Sequence, residues 1–384
     1  MSLNVSRHTI ASGVVVLAVV ALIAVGAAIG GTSGGPRRPA RDELVLARVP
    51  AGEVRGLERR LGEAPRDLPT AVRLARLHVD ESRRRGDPRF LGYAEAALGP
   101  WWTETMPPAP VLLLRATIRQ SRHEFDAALA DLDLLVAGAP DEPQGWLTRA
   151  VVLTVRGRYR EARQSCAALA RLASPLVSRA CQAPIDGLTG KAGAARRAME
   201  EALAAATTGG ERAWAHSILG ELCLWGGDAA AAERHLGEAL RLEPDDRYAR
   251  GALADLLLDA RRPAEARALL ADRESDDGLL LRLALAEAAL HGPRTALAGE
   301  LRERFAASRR RGEAVHQREE ARFALALEGD ATKALALARE GWRAQREPWD
   351  ARLLLEAANA AKEPGAAEPA RTWLRETGFE GLGR

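Results

Sequence analysis

Two short glycine-rich strings are the first candidates for chemistry in this 384-residue sequence. Residues 187–192 read Gly-Leu-Thr-Gly-Lys-Ala, which is similar to the end of a phosphate-binding loop. Such a loop requires an earlier glycine, where Ile185 stands, and a hydroxyl side chain after the lysine, where Ala192 stands. Residues 31–35 match the Gly-x-Ser-x-Gly pattern of a hydrolase nucleophile, which needs a strand before it and a helix after it. They lie in a Gly/Pro/Arg-rich linker, so neither string predicts a catalytic site.

The metal-binding and nucleophilic side chains are scattered along the chain. The seven histidines include no His-Glu-x-x-His pair and the three cysteines no Cys-x-x-Cys, so a metal site is not indicated. His216 and Cys223 are seven residues apart in sequence, about 10 Å along a helix, which is too far for a nucleophile and its base. The sequence therefore predicts no catalytic residue, no metal and no cofactor, and a protein that is not an enzyme.

The overall composition narrows the class of protein. Lys plus Arg is 55 and Asp plus Glu is 52, a formal net charge of +3, whereas nucleic-acid binders usually carry a strong basic excess. We therefore expect no nucleic-acid partner. Aromatic residues are only 4% of the chain, and the abundant alanine and leucine favour helices over strands.

An alanine recurs at a nearly constant spacing, each time in the second helix of a predicted helical pair. The intervals are 32 to 37 residues, with one of 68 that spans a degenerate unit near Glu300. A period near 34 residues is typical of helical hairpin repeats. The recurring residues are Ala96, Ala128, Ala162, Ala195, Ala232, Ala266, Ala334 and Ala370.

Residues 214–246, WAHSILGELCLWGGDAAAAERHLGEALRLEPDD, carry the clearest unit, with a Leu-Gly pair, a small residue at 232 and a proline twelve positions later. Ala128 and Pro140 repeat that spacing of twelve, and residues 157–163 supply a Gly-x-Tyr-x-x-Ala turn. Together these segments resemble the tetratricopeptide repeat family over about residues 69–378. Residues 86–102 and 111–133 are also similar to exported bacterial tetratricopeptide proteins of no known chemistry.

The resemblance implies an all-α fold, a right-handed superhelical solenoid of helical hairpins, here with an N-terminal signal or anchor helix. We expect residues 1–31 to form that signal peptide or membrane anchor and residues 32–68 a linker and the first helices. Residues 69–378 then form the solenoid, and residues 379–384 a C-terminal tail.

In this family the first helix of each unit lines a concave groove that binds peptides. Transferred to the units that begin at Ala213 and Arg247, the groove positions include Trp214, Ser217, Glu221, Leu224, Trp225, Tyr248, Gly251, Asp255 and Asp259. Aromatic and acidic groups stand where the family's clamp for chaperone tails has Lys, Arg and Asn. The candidate partner-binding residues are Trp214, Trp225, Tyr248, Glu221 and Asp255. The aromatic ones would anchor an extended or helical peptide, or else pack between adjacent units.

Trp101 and Trp102 lie in a proline-bounded connection between two hairpins. Two adjacent large aromatic side chains are costly to expose. They either fill the seam between repeats or form a docking spot for a partner.

Cys166 and Cys181 fall on two consecutive helices, at equal distances from the turn near Pro175. They would lie at similar depth on antiparallel neighbours. Two readings stay open, a disulfide between repeats in an oxidising compartment or two small buried thiols.

Residues 10–29 are free of charge and long enough to span a bilayer, and small residues follow at 26–31. The segment is a cleaved signal peptide or an uncleaved anchor. The arginines at 37, 38 and 41 would keep the body in the cytoplasm by the positive-inside rule, but the layout as a whole favours export. We expect a periplasmic or exported protein, anchored to the inner membrane where the segment is retained.

These observations predict a non-enzymatic scaffold of the bacterial cell envelope, which binds an envelope protein or peptide in its groove. The alternative is a helical-toroid enzyme acting on an envelope glycan, which would need two carboxylates converging on a deep cleft.

Overall fold

A computed structural model describes residues 51–271, 276–293, 295–310 and 317–381. The apolar segment 10–29 and most of the linker lie outside these residues. Within them all regular structure is helical and no strand occurs, which confirms the prediction of an all-α chain. No helix of this part of the chain has both the length and the apolar character that a membrane crossing requires.

The described residues divide into two compact units, 51–145 and 146–381. In the first unit, hairpins bury an apolar cluster that includes Leu74, Leu98, Trp101 and Ile118. Its helices are α1 (Ala51–Glu63), α2 (Leu68–Arg85), α3 (Arg89–Ala97), α4 (Gly99–Trp102), α5 (Ala109–Ser121) and α6 (Phe125–Gly138).

The second unit is a longer succession of helical hairpins. Its helices are α7 (Pro143–Val155), α8 (Tyr159–Leu169), α9 (Pro175–Asp186), α10 (Ala192–Ala204), α11 (Gly209–Trp225), α12 (Ala229–Leu242), α13 (Arg247–Asp259), α14 (Pro263–Leu270), α15 (Asp277–His291), α16 (Ala296–Arg310), α17 (Gln317–Phe323), α18 (Ala331–Ala344), α19 (Pro348–Ala360) and α20 (Glu368–Thr377). A kinked turn, Gly187–Lys191, follows α9, and a wider helical turn, Ala324–Glu328, follows α17.

The recurring alanines lie in the second helices of these hairpins, as the period predicts. From Ala128 to Ala370 every one of them is buried, because a small side chain lets the two helices of a hairpin approach closely. Ala96 is the exception and is exposed, so the series is wrong at its first member. Its neighbours Ala94 and Ala97 are the buried small residues of α3.

Gly220 shows how tight these seams are. A Cβ atom at this position would lie 2.7 Å from the Cγ atom of Leu236 in the partner helix of the same hairpin. The Leu-Gly pair of the repeat pattern therefore has a steric cause.

Side-chain caps fix where α11 and α13 begin. Thr208 and Glu211 form a reciprocal capping box at the start of α11. Asp246 accepts hydrogen bonds from the backbone of Tyr248 and Ala249 at the start of α13. The same carboxylate accepts a hydrogen bond from the Ser217 hydroxyl at 3.1 Å, which sets the register between the two helices.

Candidate functional site

The predicted groove positions do lie together on one side of α11 and α13. We call this surface the inner face and define it by Ser217, Glu221 and Trp225 of α11 and Tyr248, Gly251, Asp255 and Asp259 of α13. Their spacing places them on one side of each helix. The Tyr248 hydroxyl faces the Glu221 carboxyl across the gap between the helices.

The inner face is covered by helices of the same chain. Arg322 of α17 donates a hydrogen bond to Asp255 at 2.6 Å, and Arg352 of α19 donates two to Asp259. Phe379, just after α20, packs edge-on against Trp225 with ring centroids 6.0 Å apart. The side chain of Phe379 is buried, so the predicted C-terminal tail begins with a packed residue.

The five candidate partner-binding residues of these helices are not exposed in this conformation. Trp214, Trp225, Tyr248, Glu221 and Asp255 are all buried, the most exposed of them at 7%. Asp255 and Trp225 contact Arg322 and Phe379 of the same chain, and the binding of a second protein by these five residues stays a prediction.

Trp349 is the centre of the covering contact. The guanidinium carbons of Arg322 and Arg352 lie over its ring, 4.6 and 4.8 Å from the ring centroid. Each arginine therefore stacks on the indole and pairs with an aspartate of α13. The same two side chains link α13 to both α17 and α19.

Arginines also neutralise the buried carboxylates of this region. Burial alone would raise the pKa of Asp255, but Arg282 and Arg322 together hold it below its usual value. At the start of α19, Arg318 pairs with Glu347 and with Asp350. Burial raises the pKa of Asp350 above its usual value, although Arg318 opposes that rise. Asp255, Glu347 and Asp350 each accept a hydrogen bond from an arginine.

Glu221 has no such cation. Both of its carboxyl oxygens are buried without a hydrogen-bond partner. Burial raises its pKa well above the ordinary value, and the nearby charge of Glu347 raises it further. The Tyr248 hydroxyl is close enough to favour the charged form slightly but makes no hydrogen bond of normal geometry. Burial without a paired cation therefore disfavours the charged form of Glu221, whereas two arginines favour the charged form of Asp255.

These facing acids do not form a catalytic pair in this arrangement. Glu221, Asp255 and Glu347 are at most 2% exposed. Glycoside hydrolysis needs two carboxyl groups on either side of a bound sugar, and no sugar can reach side chains buried to this extent. Asp255 and Glu347 instead pair with arginines of another helix, α17, and Glu221 has no such pair.

Comparison with known proteins identifies part of this scaffold. Residues 226–279, which include α12, α13 and α14, match the family model described as tetratricopeptide repeat. This segment belongs to the tetratricopeptide repeat family. No curated protein matches the chain.

Three solved structures are similar to the chain at low identity. The crystal structure of the APC/C hetero-tetramer Cut9-Hcn1 is 14% identical with a TM-score of 0.43, over 79% of this chain and 52% of that one. A tetratricopeptide repeat protein from Parabacteroides merdae ATCC 43184 is 16% identical with a TM-score of 0.38, over 74% and 99%. The P58(IPK) TPR domain is 13% identical with a TM-score of 0.23, over 81% and 93%. The chain spans about half the length of the first of these structures.

Beyond the tetratricopeptide segment, one backbone and one side-chain hydrogen bond tie the C-terminal helices to the start of the second unit. The Arg346 amide donates to the Val155 carbonyl at 2.8 Å, and Trp373 donates from its indole nitrogen to the Tyr159 hydroxyl at 2.8 Å. At the phosphate-loop-like string, Gly190 has a φ of 76°. A Cβ there would lie 3.0 Å from the Gly378 carbonyl, so the string is a turn in close contact with the chain's end.

Cys166 of α8 and Cys181 of α9 are joined by a disulfide, with Cα atoms 5.6 Å apart. The bond links consecutive hairpins. Cys223 of α11 is a buried free thiol, and burial raises its pKa to about 11. Among the described residues no group of three His, Cys, Asp or Glu side chains could hold a metal ion.

Trp101 and Trp102 belong to a short helix, α4, rather than to a loop. Trp101 is buried in the apolar cluster of the first unit, and Trp102 is half-buried beneath the Arg119 guanidinium. Arg115 donates to the Trp102 carbonyl at 2.7 Å and pairs with Asp131. Trp101 therefore fills a seam, and the alternative of an exposed docking spot is wrong for it.

The residues that sequence reasoning missed are those that cover the inner face, Arg322, Trp349, Arg352 and Phe379, and Arg318, which pairs with the start of α19. The spacing of Trp349 and Arg352 on one helix face was the available signal. It does not distinguish a helix that contacts a distant repeat from one that faces water.

Proposed function

We propose that this protein is a non-enzymatic interaction scaffold of the bacterial cell envelope, and that it binds a protein segment on the inner face of its tetratricopeptide repeats. One observation carries the proposal. The positions that the family uses for ligands here hold helices, through arginine–aspartate pairs and a buried tryptophan. A surface with this chemistry suits a protein segment that has arginine and aromatic side chains.

The location is part of the proposal. The uncharged segment 10–29 supports export. The disulfide between Cys166 and Cys181 is consistent with an oxidising compartment such as the periplasm. We place the body outside the cytoplasm, and at the inner membrane where the segment is not cleaved.

A reporter fusion tests the location. Alkaline phosphatase, which is active only after export, is joined after Arg60, and a reporter that works only in the cytoplasm is joined at the same residue. We expect phosphatase activity alone. Activity of the cytoplasmic reporter alone would refute the envelope location.

Crosslinking in intact cells tests the scaffold. The full-length wild type and an Asp259→Lys variant, which reverses a charge on the inner face, are purified after crosslinking. An Asp80→Lys variant controls for a charge change at an exposed position of α2. We expect one defined protein with the wild type and the control, and loss of that protein with Asp259→Lys. Equal recovery from all three would exclude the inner face as the binding surface.

A further inference from the structure

The contact that covers the inner face is more polar than the packing between the two helices of one hairpin. Within a hairpin the helices pack through small and apolar side chains, as at Gly220 and Leu236. Between adjacent hairpins a charged pair also occurs, from Arg282 to Asp255. Residues 317–381, which we call the C-terminal segment, reach the inner face through charged pairs and arginine–tryptophan stacking. Polar contacts of this kind are typical of surfaces that associate and separate, rather than of a permanent core.

The side chains that make this contact form a simple pattern on each side. Trp349 and Arg352 are three residues apart and lie on one face of α19. Asp255 and Asp259 are four residues apart and lie on one face of α13. Asp259 accepts hydrogen bonds from Arg352 of α19 and Asp255 accepts one from Arg322 of α17, and both guanidinium groups lie over the Trp349 ring. Charge complementarity thus specifies what the inner face accepts.

The covered state also leaves polar groups unsatisfied. The indole nitrogens of Trp225 and Trp349 and the Tyr248 hydroxyl are buried without hydrogen-bond partners, like the Glu221 carboxyl. Each of these groups would gain water when the C-terminal segment moves away. That gain offsets part of the cost of uncovering the inner face.

We propose that the inner face is a recognition site for an amphipathic helix that presents a tryptophan followed three residues later by an arginine. In the free protein the C-terminal segment occupies this site, and a partner helix of the same chemistry competes with it. The inference rests on the proposed scaffold function and adds the chemistry of the partner to it.

A peptide competition experiment on the full-length protein tests this. The probe is a fluorescently labelled peptide of residues 345–361, QREPWDARLLLEAANAA. This is the sequence of α19 and the residues next to it, which occupy the inner face in the free protein. The protein variants are Arg352→Asp, which opposes the Asp259 carboxylate, and Arg375→Asp. Arg375→Asp is the control. It breaks the ion pair of Arg375 with Glu368, in which both side chains are more than half exposed, and it lies in the same segment but away from the inner face.

We expect the peptide to bind Arg352→Asp at least tenfold more tightly than it binds the wild type or Arg375→Asp. A peptide carrying Trp349→Ala and Arg352→Asp should not bind any of them. Equal affinity of the probe for all three folded proteins, or no binding to Arg352→Asp, would overturn the proposal. A dimer of Arg352→Asp seen by light scattering would also overturn it, because a second copy would then be the occupant.

If Arg352→Asp fails to fold, amide hydrogen exchange of the wild-type protein tests the same proposal. Excess peptide added to the wild type should speed amide exchange in α19 and leave exchange in α2 unchanged. Unchanged exchange in α19 at saturating peptide would contradict competition. The peptide measurements use no cellular partner, whereas the crosslinking experiment depends on one. The recognition proposal can therefore fail while crosslinking still recovers a partner, and crosslinking can fail while the peptide results hold.

Discussion

Arg352 donates hydrogen bonds to both carboxylate oxygens of Asp259, at 2.7 and 2.9 Å, across 93 residues of sequence. The pair joins α19 to α13 and is mostly shielded from water. A bidentate arginine–carboxylate pair fixes both distance and orientation, so it sets how the C-terminal segment lies on the inner face.

Removing this pair should loosen α19. We expect Arg352→Ala to lower the free energy of local opening of α19 by about 1 to 3 kcal/mol, between the values for exposed and fully buried pairs. Amide hydrogen exchange measures that free energy. A double-mutant cycle with Asp259→Ala isolates the pair. Strictly additive effects of the two substitutions would show that they do not interact.

Tight packing between the helices of a hairpin makes two glycines respond oppositely to alanine. Gly220→Ala places a Cβ 2.7 Å from Leu236, and the overpacking should cost about 1 to 3 kcal/mol, more than the gain in helix propensity. Gly237→Ala meets nothing within 4 Å in α12 and should stabilise by up to about 1 kcal/mol. Thermal unfolding followed by circular dichroism should show Tm moving down for the first and up for the second. A rise in Tm for both variants would mean that the contact between Gly220 and Leu236 can accommodate an added methyl group.

Reduction of the disulfide should destabilise the second unit. The bond closes a loop with a sequence separation of 15, and a loop of that length contributes about 3 kcal/mol. We expect dithiothreitol to lower the Tm of the wild type. The variant with Cys166→Ser and Cys181→Ser should start at the lower Tm and not respond to the reductant. If the Tm of the wild type is the same with and without dithiothreitol, the disulfide does not contribute to stability.

The sequence could predict those parts of the structure that depend on contacts between residues close together along the chain. The period of the alanines marks the hairpins because each alanine packs against a helix of its own unit. Even there, the first unit departs from the pattern, since Ala94 is buried and Ala96 is not. The groove positions also follow from local periodicity, and they do share one face.

The covering of that face could not be predicted in the same way. It depends on pairs such as Arg322 with Asp255, 67 residues apart, and no spacing rule connects residues at such separations. A helix such as α19 has the same apolar stripe whether its other face meets water or a distant repeat. The environment of Trp101 could not be predicted for a similar reason. Its local sequence is compatible both with burial in a short helix and with exposure in a loop.

In the first unit, Arg115 should matter far more than its neighbour Arg119. Both pair with Asp131, but the Arg115 side chain is 5% exposed and also donates to the carbonyls of Trp102 and Glu104. Arg115→Ala leaves a buried aspartate and two partly buried carbonyls short of a donor, and should cost about 3 to 5 kcal/mol. Arg119 is 22% exposed, so Arg119→Ala should cost about 1 kcal/mol or less. Hydrogen exchange of α5 and α6 separates the two, and equal effects would contradict the assignment.

The raised pKa of Glu221 predicts the direction in which stability depends on pH. Burial, aided by Glu347, raises its folded-state pKa well above the unfolded value, so between the two the folded chain holds one proton more than the unfolded chain. This contribution to stability is complete below the unfolded pKa and is lost as the pH rises through the folded one. Glu221→Gln cannot ionise, so its Tm should exceed that of the wild type more at pH 8 than at pH 4. Glu238→Gln, at a position on α12 whose carboxylate pairs with Arg241 at the surface, is the control and should not gain stability at the higher pH. A Tm difference between Glu221→Gln and the wild type that is the same at pH 4 and pH 8 would show that Glu221 ionises as freely in the folded chain as in the unfolded one.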